Sequence, residues 1–104
     1  MPDPIPPSDV DAERALLGSI MIAPDRFVDL TTCVKAEYFY LVRHRWIWEA
    51  MTHLTEAELQ IDFVTMCNAL NTSGQLKEIG GPAYLIGLLS VTPTSMHAES
   101  YAKI

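Results

Sequence analysis

Three histidines (His44, His53, His97), two cysteines (Cys33, Cys67) and several close carboxylate pairs are the side chains here that could do metal or acid-base chemistry. Their spacing argues against it. A zinc site usually draws ligands from short-spaced pairs that reach one ion together, and these five residues form no such set. Glu56 with Glu58 falls near a helix end and Asp9 with Asp11 in a first turn, where solvation and the helix dipole account for them. A phosphate-binding loop needs clustered glycines followed by lysine and a hydroxyl residue. None of Gly18, Gly74, Gly80, Gly81 or Gly87 precedes a lysine. The sequence therefore predicts no catalytic, metal or cofactor site of its own.

Binding chemistry is better represented. Arg43 and Arg45 are the one close pair of cations, while Arg14, Arg26, Lys35, Lys77 and Lys103 are dispersed. Trp46 lies between that pair in sequence, and tryptophan and arginine are enriched among binding hot spots. It points about 200 degrees around a helix from Trp48, so Trp48 is expected in the core and Trp46 on the surface, either as an anchor or as a partly covered aromatic. Tyr84 is a further candidate, since its ring can pack while its hydroxyl reaches an edge. Acidic residues outnumber Lys and Arg by 13 to 7, for a net charge of −6. Displacing counterions from phosphates requires clustered cations, so direct DNA binding is disfavoured and a protein-binding surface is favoured.

The elements that would carry these residues are short helices. Met1 to Pro7 holds four prolines in seven residues and reads as an extended lead-in. Ser8 or Asp9 caps a first helix bearing Leu16, Ile20 and Met21, which ends before Pro24. A short helix follows through Phe27, Val28 and Leu30. A longer one from about Val42 to about Glu58 presents Ile47, Ala50, Met51 and Leu54 at i, i+3, i+4 and i+7. Asp62 is a good cap for a helix near 62 to 72, with Phe63, Met66, Cys67 and Leu70 as its apolar stripe. Gly74 suits the left-handed stop, and Pro82 the first turn of a helix near 82 to 90. A last helix begins after Thr94 or Ser95. Weak strand signals surround Phe39 and Val91.

At 104 residues, 49% hydrophobic and with mean hydropathy +0.14, the chain suits one packed domain. Helices this short are marginal alone in water, below ~12 to 15 residues, and must pack together. The fold class expected is all-α, a compact bundle of about six short helices over residues 8–104. No apolar run approaches the roughly 20 residues of a membrane span, and Met1-Pro2-Asp3-Pro4 is unlike a signal peptide. A soluble cytoplasmic protein with Cys33 and Cys67 as buried free thiols is expected.

Four blocks of sequence have a wording beyond these generalities. Ala12-Glu13 is followed by Leu16-Leu17-Gly18. Tyr38-Phe39-Tyr40 leads to His44-Arg45 and Ile47-Trp48. Ile61-Asp62-Phe63-Val64-Thr65 leads through Gly74-Gln75-Leu76 to Gly80-Gly81-Pro82-Ala83-Tyr84-Leu85. Thr92-Pro93-Thr94 precedes Tyr101-Ala102-Lys103-Ile104. In this order and spacing they resemble the N-terminal domain of the DnaB-type replicative DNA helicases of bacteria and their phages, over nearly the whole chain. The Glu56 to Gln60 loop lacks the glycine common there, and Met96-His97 replaces smaller or more polar residues.

The resemblance implies an assembly and regulatory domain of a hexameric helicase, truncated before a helical hairpin and a C-terminal ATPase domain. ATP, Mg and DNA would be handled by that missing part, with no cofactor in this one. Implied partners are other copies of the chain in a ring, primase, and a helicase loader; without the hairpin, a monomer or weak dimer is expected. By position, Asp11 and Tyr84 join Arg43, Arg45 and Trp46 as candidate protein-contact residues. His44 falls at the family's histidine, and its plain reading is a helix-start residue hydrogen-bonding locally rather than a titrating switch. Two other classes remain: a stand-alone helical adaptor or primase helicase-binding domain of the same fold, and a small nucleic-acid-binding domain using Arg43, Arg45 and Trp46.

Overall fold

Side-chain capping sets where two of the helices begin in this computed structural model, which describes residues 9–91. The Asp9 carboxylate accepts from the Ala12 amide at 2.9 Å and opens α1, Val10–Ile22. Leu16, Leu17 and Ile20 on this helix are fully buried. After Pro24 comes α2, Arg26–Leu30, which buries Phe27 and Leu30 and leaves Val28 exposed. A single 3-10 turn, Ala36–Tyr38, then delivers Phe39 into the core in an extended conformation.

The longest helix is α3, Val42–Glu56. Ile47, Ala50, Met51 and Leu54 are all buried, as their spacing predicts, and Trp48 joins them between Phe27 and Phe39, with ring centroids 4.7 and 5.6 Å away. Asp62 and Thr65 form a reciprocal capping box at the start of α4, Phe63–Thr72. This helix buries Met66 and Leu70, while Phe63 and Cys67 are half-buried. Pro82 starts α5, Pro82–Val91, whose Leu85 and Leu88 are buried. Helix α1 packs on α5 and α3, α3 packs on α4, and α4 returns to α5, so four helices surround one core.

No strand occurs among the described residues: Phe39 follows the 3-10 turn and Val91 closes α5. Cys33 and Cys67 are free thiols but half-buried rather than buried, because Cys33 lies in the turn after α2 and Cys67 at the margin of the α4 apolar stripe. The expected lead-in over 1–7, the alternative cap Ser8 and the helix after Thr94 lie outside the described residues.

Two helices end in the same way. At the end of α4 the Gln75 amide bonds the Leu70 carbonyl at 2.8 Å and the Gly74 amide bonds the Asn71 carbonyl at 3.0 Å, with Gly74 at φ +76°. At the end of α3 the Leu59 amide bonds the Leu54 carbonyl at 2.8 Å and the Glu58 amide bonds Thr55 at 3.0 Å. Here the left-handed position, φ +59°, is held by Glu58. A side chain resists that conformation where glycine does not. Replacing Glu58→Gly is expected to raise stability by about 0.5 to 1 kcal/mol, read as a higher midpoint in urea unfolding.

Candidate functional site

A glutamate and a histidine at core positions of their helices must find each other or lose their hydrogen bonds. Glu13 lies in register with Leu16, Leu17 and Ile20 on α1; His44 lies in register with Ile47, Trp48 and Met51 on α3. Both are 0% exposed. His44 Nδ1 is 2.7 Å from Glu13 Oε1, and His44 Nε2 is 2.6 Å from the hydroxyl of Tyr84 on α5. The Glu13 carboxylate also accepts from the Tyr40 amide at 2.6 Å and, at 3.5 Å, from the Leu41 amide. Two backbone N–H groups and one imidazole nitrogen thus converge on the two carboxyl oxygens, so none of this buried polar set lacks a partner. Leu41, the N-cap of α3, offers no side-chain bond of its own. Glu13, from another helix, instead holds the two amides just ahead of α3 and puts its carboxylate near the positive end of the α3 dipole.

Tyr84 carries this buried chain to the surface. Its hydroxyl accepts from Arg14 Nε at 3.4 Å, and the Arg43 guanidinium lies over its ring, 5.1 Å from the centroid. The hydrogen bond with Tyr84 is the main cause that raises the Arg14 pKa above its ordinary value, so this cation stays charged. Asp11 is exposed and meets Arg14 at 3.4 Å. A recess of about 210 Å³ between α1 and α5 is lined by Arg14, Ala83, Tyr84, Gly87 and Leu88.

Of the residues singled out in the sequence, the structure brings Asp11, Arg43 and Tyr84 onto one surface. Arg45 is placed differently, with Nε donating to the Phe39 carbonyl at 2.7 Å and holding the turn before α3. Trp46 is half-buried and packs against the core. His44 departs from its expected local bonding, since its partners lie on two other helices. Glu13 and Arg14 were not anticipated; a carboxylate inside an apolar stripe is the signal that points to Glu13.

A carboxylate-oriented imidazole beside a hydroxyl is also the layout of a general base and its nucleophile. Here Glu13 and His44 are sealed in the core and consume their polar atoms on protein groups, so the chain acts as a tie among α1, α3 and α5. No group of three or more His, Cys, Asp and Glu side chains suited to a metal occurs among the described residues, and burial pushes the Cys67 thiol up, away from thiolate. Glu13→Ala would leave the His44 and Tyr40 donors unanswered and is expected to cost about 3 kcal/mol or more. Tyr84→Phe, which removes one hydroxyl, should cost about 1 to 2 kcal/mol. Urea unfolding of both variants checks the order.

A sequence profile of the DnaB-like helicase N-terminal domain matches residues 5–104. The replicative DNA helicase DnaB of Geobacillus stearothermophilus is 37% identical over 100 residues, covering 96% of this chain and 22% of that protein. The replicative DNA helicase DnaB of Haemophilus influenzae is 38% identical over 100 residues, covering 96% and 21%. The chain thus spans about a fifth of the length of these relatives. The crystal structure of the N-terminal domain of DnaB helicase from Mycobacterium tuberculosis matches with a TM-score of 0.89 at 33% identity, covering 94% of this chain and 68% of that one. Sequence and fold agree, and the chain belongs to the DnaB-like helicase N-terminal domain family.

Proposed function

We propose that this domain assembles and regulates a hexameric replicative DNA helicase, forming part of its N-terminal collar and docking primase. The parent protein would unwind duplex DNA with ATP and Mg bound in a C-terminal motor domain, and would reach DNA through that domain. A helicase loader is a further partner, and the setting is cytoplasmic. No helix among the described residues is long and apolar enough to cross a membrane. The observation that carries the docking reading is the surface of Arg14, Tyr84 and Arg43, held in place from below by Glu13 and His44. Tyrosine and arginine dominate binding hot spots, especially where the underlying shell is rigid. The acidic balance, net charge −6, supports protein rather than nucleic-acid partners.

Titration calorimetry of this protein against the C-terminal domain of its cognate primase tests the reading. Saturable binding is expected, weakened about tenfold or more by Arg43→Ala, the size of effect typical of a hot-spot arginine. Trp46→Ala would show whether the contact extends along α3. Absence of binding to the folded protein at high micromolar concentration would overturn docking and leave the collar role. Sedimentation of the protein alone is expected to give a monomer or weak dimer.

A further inference from the structure

The direction of one hydrogen bond in the buried chain controls what Tyr84 can offer to a partner. In the neutral imidazole, His44 Nδ1–H donates to Glu13, so Nε2 holds a lone pair and takes the hydroxyl proton of Tyr84 at 2.6 Å. Tyr84 then has no proton to present outward. Its oxygen nevertheless faces Arg14 at the wall of the 210 Å³ recess, and Arg43 covers its ring. Two guanidiniums from different helices beside one phenol, on a chain of net charge −6, mark this patch for an anion. Ala83, Gly87 and Leu88 in the same recess suit aliphatic carbon beside that anion.

We propose that the recess between α1 and α5 docks an acidic segment of a partner protein, its carboxylate meeting Arg14 and the Tyr84 hydroxyl, and that docking takes up one proton at His44. The inference rests on the docking reading above and names the chemistry of the contact. For Tyr84 to donate to the carboxylate, its O–H must turn outward, which strips the fully buried Nε2 of its donor. A proton from solvent restores the pair in the opposite sense: Nε2–H donates to the Tyr84 oxygen, and the Tyr84 O–H donates to the carboxylate. One proton is gained, and no bond between heavy atoms forms or breaks. The titratable and charged groups around this exchange are Asp11, Glu13 and Arg14 from α1, Arg43 from α3 and Tyr84 from α5, with the exposed Asp11 carboxylate a weak resident partner of Arg14 at 3.4 Å that an incoming carboxylate must displace. Glu13 stays the acceptor of Nδ1–H, at 2.7 Å, in both arrangements. The reversal of the Nε2–Tyr84 hydrogen bond is what links docking to proton uptake.

The probes are a capped Leu-Glu-Leu tripeptide and its neutral isostere Leu-Gln-Leu, titrated at fixed neutral pH while the imidazole nitrogens of His44 are followed by NMR. The glutamate peptide is expected to bind saturably and move Nε2 from the unprotonated to the protonated position, and the glutamine peptide to leave it unmoved. Arg14→Gln should weaken binding about tenfold, as loss of a charge-assisted hydrogen bond does, yet reach the same protonation at saturation. Tyr84→Phe keeps the ring and should abolish the protonation. No saturable change, an equal change with the glutamine peptide, or protonation that survives in Tyr84→Phe would each overturn the proposal. Since the peptide probes are independent of primase, a primase domain that fails to bind overturns the docking reading, whereas unresponsive peptides overturn the carboxylate chemistry.

Discussion

A carboxylate removed from water must be surrounded by donors, and Glu13 imposes that condition on this whole bundle. An unpaired buried charge costs several kcal/mol, a large share of the roughly 5 to 15 kcal/mol that holds a domain folded. The donors come from the turn before α3, through the Tyr40 and Leu41 amides, and from α3 itself, through His44. Helix α5 must then supply a hydroxyl for the second imidazole nitrogen. Burial of Leu16, Ile47 and Leu85 in one core favours proximity of the three helices but tolerates sliding. The polar chain does not, because its bonds are directional, so it selects one register of α1, α3 and α5 from the many that burial alone would accept.

The same chain explains why the surface above it has a defined shape. Arginine side chains on a helix are ordinarily free to sample many rotamers. Arg14 is drawn to the Tyr84 hydroxyl and Arg43 to its ring, and Tyr84 is itself fixed by the buried histidine. Order passes from the core to the surface through one phenol. The groove between α3 and α4, about 510 Å³ and lined by His53, Leu54, Leu59 and Ala69 among others, is larger but has no comparable buried polar support among the described residues.

What the sequence disclosed was what local spacing governs. Asp62 and Thr65 cap α4 because they lie three positions apart, Gly74 closes it, Pro82 opens α5, and Ile47, Ala50, Met51 and Leu54 share one face. The tie among Glu13, His44 and Tyr84 joins positions 31 and 40 residues apart, and no local rule pairs them. The trace it left was polarity at the wrong phase, Glu13 and His44 each in step with leucines and isoleucines. Arg45 shows the limit from the other side: its neighbours in sequence suggest a cationic patch, yet its guanidinium turns to a backbone carbonyl six residues earlier. Trp46 and Trp48 divided between half-buried and buried as helical geometry requires.

The dependence of the α3 entry on Glu13 has a consequence for how the chain acquires its structure. Helices α1 and α4 begin on their own aspartates, Asp9 and Asp62, and their first turns can close without distant help. The start of α3 has no such side chain, and the Tyr40 amide leading into it is held by a carboxylate 27 residues upstream. That start is settled only after α1 has arrived, which postpones the final boundary of the longest helix until a long loop has closed. Secondary and tertiary structure are therefore completed together there, and the domain folds as a cooperative unit rather than as a collection of preformed helices.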